Sequence, residues 1–123
     1  MKIKSHRELS TYQQAFAASM TIFQLSRSFP KAETYALTDQ IRRSSRSVCA
    51  NLAEAFRKRK YPKAFISKLI DCEAEAAETQ VWLEYCLRCQ YISSKDYHSL
   101  IDTYEIILKR LFKMASQPEK WTY

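Results

Sequence analysis

The chain has 123 residues, 46% of them hydrophobic, which is enough to bury the core of one domain spanning residues 1–123. It contains no glycine, which excludes glycine-dependent hairpin turns and phosphate-binding loops and favours an all-α fold. The 20 Lys and Arg residues outnumber the 13 Asp and Glu residues and give a net charge of +7, which favours anionic partners. No run approaches the roughly 20 apolar residues of a membrane span, and the N-terminus lacks the apolar centre of a signal peptide. We therefore expect a cytoplasmic protein that contacts no membrane.

The first predicted helix covers residues 8–28 and ends at Phe29-Pro30, since proline disfavours helix at the residue before it. Large side chains recur along it at helical spacing, which indicates the face that packs into the core. This predicted stripe consists of Leu9, Tyr12, Phe16 and Phe23. The second helix is expected to start at Thr34 or Thr38.

The second helix has two contrasting faces when its residues are placed at 100° intervals. The predicted core face collects Leu37, Ile41, Ser44, Ser45, Val48, Leu52 and Phe56. The opposite face carries Arg43, Arg46, Ala50, Glu54 and Arg57. One side of this helix should therefore pack against its neighbours while the other presents arginines.

The third and fourth helices carry the most regular patterns. Pro62 suits the first turn of the third helix, whose heptad stripe is Phe65, Leu69, Cys72, Ala76, Thr79, Leu83 and Cys86. Ser93, with Asp96 three residues later, resembles the start of a capping box. The stripe that follows is Tyr97, Leu100, Ile101, Tyr104, Ile107, Leu108, Leu111 and Met114. The tail, residues 117–123, is predicted to be irregular. Short connections then favour an up-down-up-down antiparallel four-helix bundle.

This topology brings three basic segments to one end of the bundle: the N-terminus, the connection between the second and third helices, and the end of the fourth helix. Their cations are Lys2, Lys4, Arg7, Arg57, Lys58, Arg59, Lys60, Lys63, Lys109, Arg110 and Lys113. We interpret the central group as a nucleic-acid site that neutralises phosphates, and its members are Arg57, Lys58, Arg59, Lys60 and Lys63. Tyr61 could stack on an unpaired base. The alternative is that these cations complement a helix C-terminus and keep the protein soluble.

A second apolar strip lies on the third helix, away from its heptad face, and includes Ile66, Ile70, Ala74, Ala77 and Val81. An apolar strip left outside a small bundle indicates self-association, although a wide core-facing surface would also explain it. Arg43 and Arg46 either extend the basic patch or meet acids, and Asp39 lies one helical turn before Arg43. We favour pairing with the acids of the third helix across a subunit boundary, and these acids are Asp71, Glu75 and Glu78.

No arrangement of residues predicts catalysis, a cofactor or a metal. The spacing Cys86-x-x-Cys89 occurs inside a predicted helix, without the strand-to-helix context of a redox site. We expect core packing and no disulfides for the cysteines, which are Cys49, Cys72, Cys86 and Cys89. No Glu-x-x-His motif of a di-metal bundle is present. Asn51 and Glu54 are predicted to form a structural hydrogen-bond pair.

Several short motifs resemble a known family, the 23S rRNA intervening-sequence proteins. They include Q-x-R-R-S from Gln40, A-N-x-A-E from Ala50, S-F-P from Ser28, E-T-Q-V-W-L from Glu78 and Y-I-S from Tyr91. The resemblance implies a four-helix bundle that assembles into a ring, a pentamer, with kinship to accessory proteins of diversity-generating retroelements. It also implies binding to nucleic acid and to a reverse transcriptase. The chain departs from the family where many members have glycine or a small hydroxyl residue, at Glu54-Ala55, Ala74-Glu75 and Gln90-Tyr91.

The leading hypothesis is therefore a non-enzymatic homo-oligomer that binds nucleic acid, RNA or single strands, through one basic end. The alternative is an interaction scaffold, or accessory subunit, for an acidic protein partner such as a polymerase subunit. Salt-dependent, sequence-tolerant binding would favour the first hypothesis, and selectivity for one protein would favour the second.

Overall fold

The computed structural model describes residues 3–122, and it confirms the all-α four-helix bundle. Its helices are α1 (Ser10–Ser26), α2 (Leu37–Arg57), α3 (Pro62–Arg88) and α4 (Ser94–Ser116). Three single 3₁₀ turns, at His6–Glu8, Lys31–Glu33 and Pro118–Lys120, flank or connect them, and residues 3–122 form no strand. Each helix packs on the next along the chain and α4 closes on α1. In this square arrangement α1 lies diagonally from α3, and α2 from α4.

The core stripes of α2, α3 and α4 are confirmed. Every residue of the α3 heptad is buried, as is every member of the predicted α2 core face. On α4 the centre of the stripe is buried, and Tyr97, Ile101 and Leu108 pack against it while partly exposed. The antiparallel α2–α3 seam contains a buried polar pair, in which the Thr79 hydroxyl donates to Ser44 Oγ at 2.8 Å.

The predicted stripe of α1 is confirmed only in part. Leu9 is buried and Tyr12 packs against the core, but Phe16 is 50% exposed and Phe23 is only partly buried. The helix buries instead a face of small side chains and one isoleucine: Thr11, Ala15, Ala18, Ser19, Ile22 and Ser26. Small residues let α1 lie close to α2, and the buried Ser19 and Ser26 hydroxyls donate to main-chain carbonyls one turn back.

Two boundaries also differ from the predicted ones. The segment before α1 is a separate 3₁₀ turn closed by a capping box, in which Ser5 Oγ accepts from the Arg7 N–H and the Glu8 carboxylate accepts from the Ser5 N–H. Helix α2 begins at Leu37, one residue before Thr38. Ser93 caps α4 as predicted, since its hydroxyl accepts from the Asp96 N–H at 3.0 Å.

The end of the bundle formed by the α1–α2 and α3–α4 connections is called the far end. Its centre is Tyr91, whose hydroxyl donates to Glu33 Oε2 at 2.8 Å and whose ring centre lies 5.4 Å from that of Phe29. The hydrogen bond to Glu33, aided by desolvation, raises the pKa of Tyr91 to about 12. Gln90 adopts φ 65° and closes a Schellman motif, with the Tyr91 N–H bound to the Cys86 carbonyl at 2.8 Å.

Candidate nucleic-acid interface

The opposite end of the bundle, called the basic end, gathers the three predicted basic segments. The N-terminal turn His6–Glu8 packs against α2, and the C-terminal turn Pro118–Lys120 packs against α3 and α4. Within the tail, Pro118–Lys120 forms a single 3₁₀ turn, and Trp121 packs against the core. Lys2, one of the predicted cations, lies outside the described residues.

The α2–α3 connection is exposed at the basic end. Of its predicted phosphate contacts, four are exposed and form no ion pair with any carboxylate of residues 3–122: Arg57, Lys58, Lys60 and Lys63. Tyr61 is 63% exposed beside them, and its ring centre lies 5.9 Å from Lys60 Nζ. The structure therefore offers an aromatic ring next to cations that no carboxylate of the described chain neutralises.

Arg59 differs from its neighbours. Its Nε donates to the Phe56 carbonyl at 2.8 Å, and its guanidinium carbon lies 3.6 Å from the centre of the Phe56 ring. A cation bound to one of the last carbonyls of a helix stabilises the helix C-terminus. Arg59 therefore has a structural role in ending α2, a distinction that charge alone did not reveal.

Arg43 does not need a second subunit to reach the acids of α3. Its guanidinium lies 3.1 Å from Glu78 and 4.0 Å from Glu75 of the same chain, because α2 and α3 are adjacent and antiparallel. Arg43 was predicted to pair with these acids across a subunit boundary, but the pairs form within one chain. Arg46 lies one turn further along, exposed, with its guanidinium carbon 5.9 Å from the Phe23 ring centre.

Asn51 and Glu54 are joined through a third residue. Lys68 Nζ lies 3.2 Å from Asn51 Oδ1 and 3.3 Å from Glu54 Oε2, and it also lies 3.8 Å from Asp71. The direct pair predicted from the sequence is thus replaced by a lysine bridge between α2 and α3. The charged side chains in the middle of this seam therefore join α2 to α3.

The second apolar strip of α3 lies on the surface. Ile70 is 52% exposed and Val81 46% exposed, with Ala74 and Ala77 exposed between them. Phe112 of α4, 68% exposed, flanks a shallow groove beside this strip. We call this surface the α3–α4 face, and it consists of Ile70, Ala74, Ala77, Val81 and Phe112.

A second apolar surface, which the sequence did not reveal, lies across the bundle. Phe16 lines a groove with Ala50 and Ala53 of α2, and Arg46 stands at its border. Met20, one turn along α1 from Phe16, is 44% exposed. We call this surface the α1–α2 face, and it consists of Phe16, Met20, Arg46, Ala50 and Ala53. The spacing of Phe16 with Tyr12 and Phe23 predicts a core position for Phe16, and this prediction conceals the α1–α2 face.

The cysteines are free thiols that divide into two kinds. Cys49, Cys72 and Cys86 are buried as predicted, whereas Cys89 is exposed just beyond the end of α3. Burial raises the pKa of the Cys49 thiol to about 11 and that of Cys86 to about 12. These buried thiols are protonated at neutral pH and make poor nucleophiles. Within residues 3–122, no three His, Cys, Asp or Glu side chains cluster as metal ligands.

The observations define a small all-α bundle with one exposed cationic end and two exposed apolar faces. A model of the 23S rRNA-intervening sequence protein family matches residues 7–113, so the chain belongs to this family. A crystal structure from Bacteroides thetaiotaomicron VPI-5482, described as a protein of unknown function from the S23 ribosomal protein family, is similar. It shares 28% identity with a TM-score of 0.77, over 86% of this chain and 95% of the other.

Neither description names an enzymatic activity. A comparison with curated protein sequences finds no match. Within residues 3–122, every helix is too short or too polar to cross a bilayer.

Proposed function

We propose that this protein is a non-enzymatic homo-oligomer that binds nucleic acid, RNA or single strands, through its basic end. The observation that carries the proposal is the α2–α3 connection, where the exposed Tyr61 lies next to Lys60 and where Arg57, Lys58, Lys60 and Lys63 are exposed and form no ion pair within residues 3–122. Such cations neutralise phosphates and displace the counterions condensed on the nucleic acid, and an aromatic ring can stack on any base. Binding of this kind is tolerant of sequence and weakens as salt rises.

The decisive experiment reverses charge at the two ends of the bundle. The test variant is Arg57→Glu/Lys58→Glu/Lys60→Glu, which spares Arg59 because that side chain ends α2. The matched control is Lys31→Glu/Arg88→Glu/Lys95→Glu, which makes the same change in net charge at exposed positions of the far end. Polarisation of labelled single-stranded RNA, duplex RNA and DNA is measured at low and near-physiological salt.

We expect the basic-end variant to lose about a hundredfold or more in affinity and to show a shallower salt dependence, while the control changes by only a few-fold. Equal losses in both variants would mean that net charge alone attracts the polymer, and the proposed site would be wrong. No binding by the unaltered protein at low salt would contradict nucleic-acid binding. The exposed cations would then favour an acidic protein partner.

The homo-oligomer is supported by the placement of the two apolar faces. The α1–α2 face and the α3–α4 face lie on opposite sides of the square bundle, since α1 is diagonal to α3 and α2 to α4. Two different surfaces that pair between copies make a heterologous interface, and such interfaces generate closed rings when the rotation between copies closes. The arrangement therefore fits a heterologous assembly better than a two-fold dimer, and the proposed pentamer is such an assembly closed by a rotation between successive copies.

Charge supports the same pairing. Arg46 borders the α1–α2 face, and Glu73 lines the groove of the α3–α4 face. Burial raises the pKa of Glu73, and this carboxylate forms no ion pair within residues 3–122. When the two faces meet, Arg46 of one copy would supply a cation to Glu73 of the next.

Single substitutions on each face test the ring. Ala74→Glu on the α3–α4 face and Phe16→Glu on the α1–α2 face should each convert the assembly to monomers, as measured by light scattering, because each places a charge in an apolar contact. Ala32→Glu, the same alanine-to-glutamate change at an exposed position of the α1–α2 connection, serves as the control. Loss of assembly with Ala74→Glu but not with Phe16→Glu would indicate a two-fold interface through α3 and α4. An unchanged mass in both variants would contradict assembly through these faces.

A further inference from the structure

A recess of about 490 Å³ opens at the basic end, between the N-terminal arm, the end of α4 and the tail. Its apolar walls include Ile3, Leu9, Met114 and the half-buried indole of Trp121. Sites that hold small ligands commonly enclose about 300 to 1,000 Å³ and combine apolar walls with a few polar groups. The recess has the size and lining of such a site.

Three cations stand in the wall of the recess: Arg110, Lys113 and Lys120. Arg110 Nη1 donates to Ser10 Oγ at 3.0 Å and to Gln14 Oε1 at 2.9 Å, and both acceptors are neutral. Lys113 and Lys120 are exposed and form no ion pair within residues 3–122. The positive charge of the recess therefore remains available to an anion.

The acid in the wall, Glu8, is already engaged. Its Oε2 accepts from the main-chain N–H groups of Lys4 and Ser5, at 3.0 and 2.9 Å, as part of the capping box. This bond fixes the N-terminal arm. On the opposite wall, the main-chain N–H of Trp121 donates to the Pro118 carbonyl at 2.9 Å and fixes the tail. Both walls are thus held by local hydrogen bonds before any ligand arrives.

We propose that the recess binds one unpaired nucleotide of the strand that the basic end holds. The base stacks on Trp121 against the apolar wall, and its phosphate meets Lys113 and Lys120. This inference rests on the proposed function, because the strand reaches the recess along the cations of the same end. A flat aromatic wall beside cations suits a nucleotide better than an aliphatic carboxylate, which would gain nothing specific from the indole.

Tryptophan fluorescence of the full chain tests the proposal, since the protein has two tryptophans. Trp82 lies five turns into α3, away from the basic end, and its indole N–H donates to Glu78 at 3.2 Å. In Trp82→Phe all tryptophan emission comes from Trp121. In Trp121→Phe it comes from Trp82, whose emission should not respond to a ligand in the recess. Both variants and the unaltered protein are titrated with adenosine monophosphate, inorganic phosphate and octanoate.

We expect adenosine monophosphate to quench Trp121 in a saturable way, in the unaltered protein and in Trp82→Phe, with no change in Trp121→Phe. Lys113→Glu/Lys120→Glu should weaken this binding by about tenfold or more, whereas Arg88→Glu/Lys95→Glu, matched in charge at the far end, should leave it within about twofold. Saturable quenching by octanoate but not by the nucleotide would overturn the proposal, as would the absence of any saturable change.

The outcomes separate this inference from the proposed function. If the polynucleotide binds through Arg57, Lys58 and Lys60 while the mononucleotide fails to quench Trp121, the recess proposal is wrong and the basic end remains a nucleic-acid site. If polynucleotide binding ignores those three cations, the proposed function is wrong, whatever the mononucleotide does.

Discussion

The two ends of the bundle use their polar groups in opposite ways. At the far end the Tyr91 hydroxyl binds Glu33, its ring packs on Phe29, and the Ser93 hydroxyl caps α4. At the basic end Arg57, Lys58, Lys60 and Lys63 face solvent and form no ion pair within residues 3–122. Groups that are satisfied inside the chain stabilise the fold, whereas unpaired cations act only when a partner arrives. The difference teaches that one end holds the structure and the other is available for binding.

The seam between α2 and α3 also uses charged groups to stabilise the fold. Arg43 and Lys68, on the seam between α2 and α3, both pair with acids of the same chain. Carboxylates therefore neutralise the cations that join α2 to α3. Exposed cations without ion pairs within residues 3–122 also occur at the far end, at Lys31, Arg88 and Lys95, so the α2–α3 connection is distinguished by the number of its cations beside Tyr61.

Truncating one hydrophobic side chain at each end gives the largest expected contrast. Ile92 is 9% exposed at the far end, and Ile92→Ala should reduce the free energy of unfolding by about 3 kcal/mol, because it leaves a cavity. Tyr61 is 63% exposed at the basic end, and Tyr61→Ala should change it by less than about 0.5 kcal/mol. Urea unfolding followed by circular dichroism measures both. Nucleic-acid affinity should show the reverse order, falling for Tyr61→Ala and staying unchanged for Ile92→Ala below its unfolding range.

A comparable loss of stability in both variants would contradict the division between the two ends. It would show that Tyr61 contributes to folding despite its exposure. A loss of nucleic-acid affinity in folded Ile92→Ala would place part of the binding surface at the far end.

The sequence predicted the fold where side-chain size and burial agree. On α3 the heptad from Phe65 to Cys86 is a set of seven positions at one face, and all are buried. On α1 size and burial disagree, since Phe16 is exposed while Ala15 and Ala18 are buried. Close approach of two helices selects small residues, and no property of α1 alone shows which of its faces meets α2. Periodicity identified the helix but not its orientation.

The sequence predicted which cations gather at the candidate site, but it did not predict their individual contacts. The basic end follows from topology, because the ends of antiparallel helices must meet. The structural role of Arg59 depends on its reach to one carbonyl, and the partners of Arg43 depend on the register of α2 against α3. The recess beside Trp121 requires three distant segments to converge, and such convergence leaves no local pattern in the sequence.

The far end also contains a backbone feature that predicts a stabilising substitution. Gln90 has φ 65°, a left-handed conformation that disfavours residues with a Cβ atom and that glycine adopts without steric cost. Gln90→Gly should therefore raise the free energy of unfolding by about 1 kcal/mol, measured by urea unfolding. Gln117 ends α4 with φ −130°, so Gln117→Gly is a matched control that should bring no gain. An equal gain in both variants, or no gain for Gln90→Gly, would show that the left-handed conformation of Gln90 does not destabilise the far end.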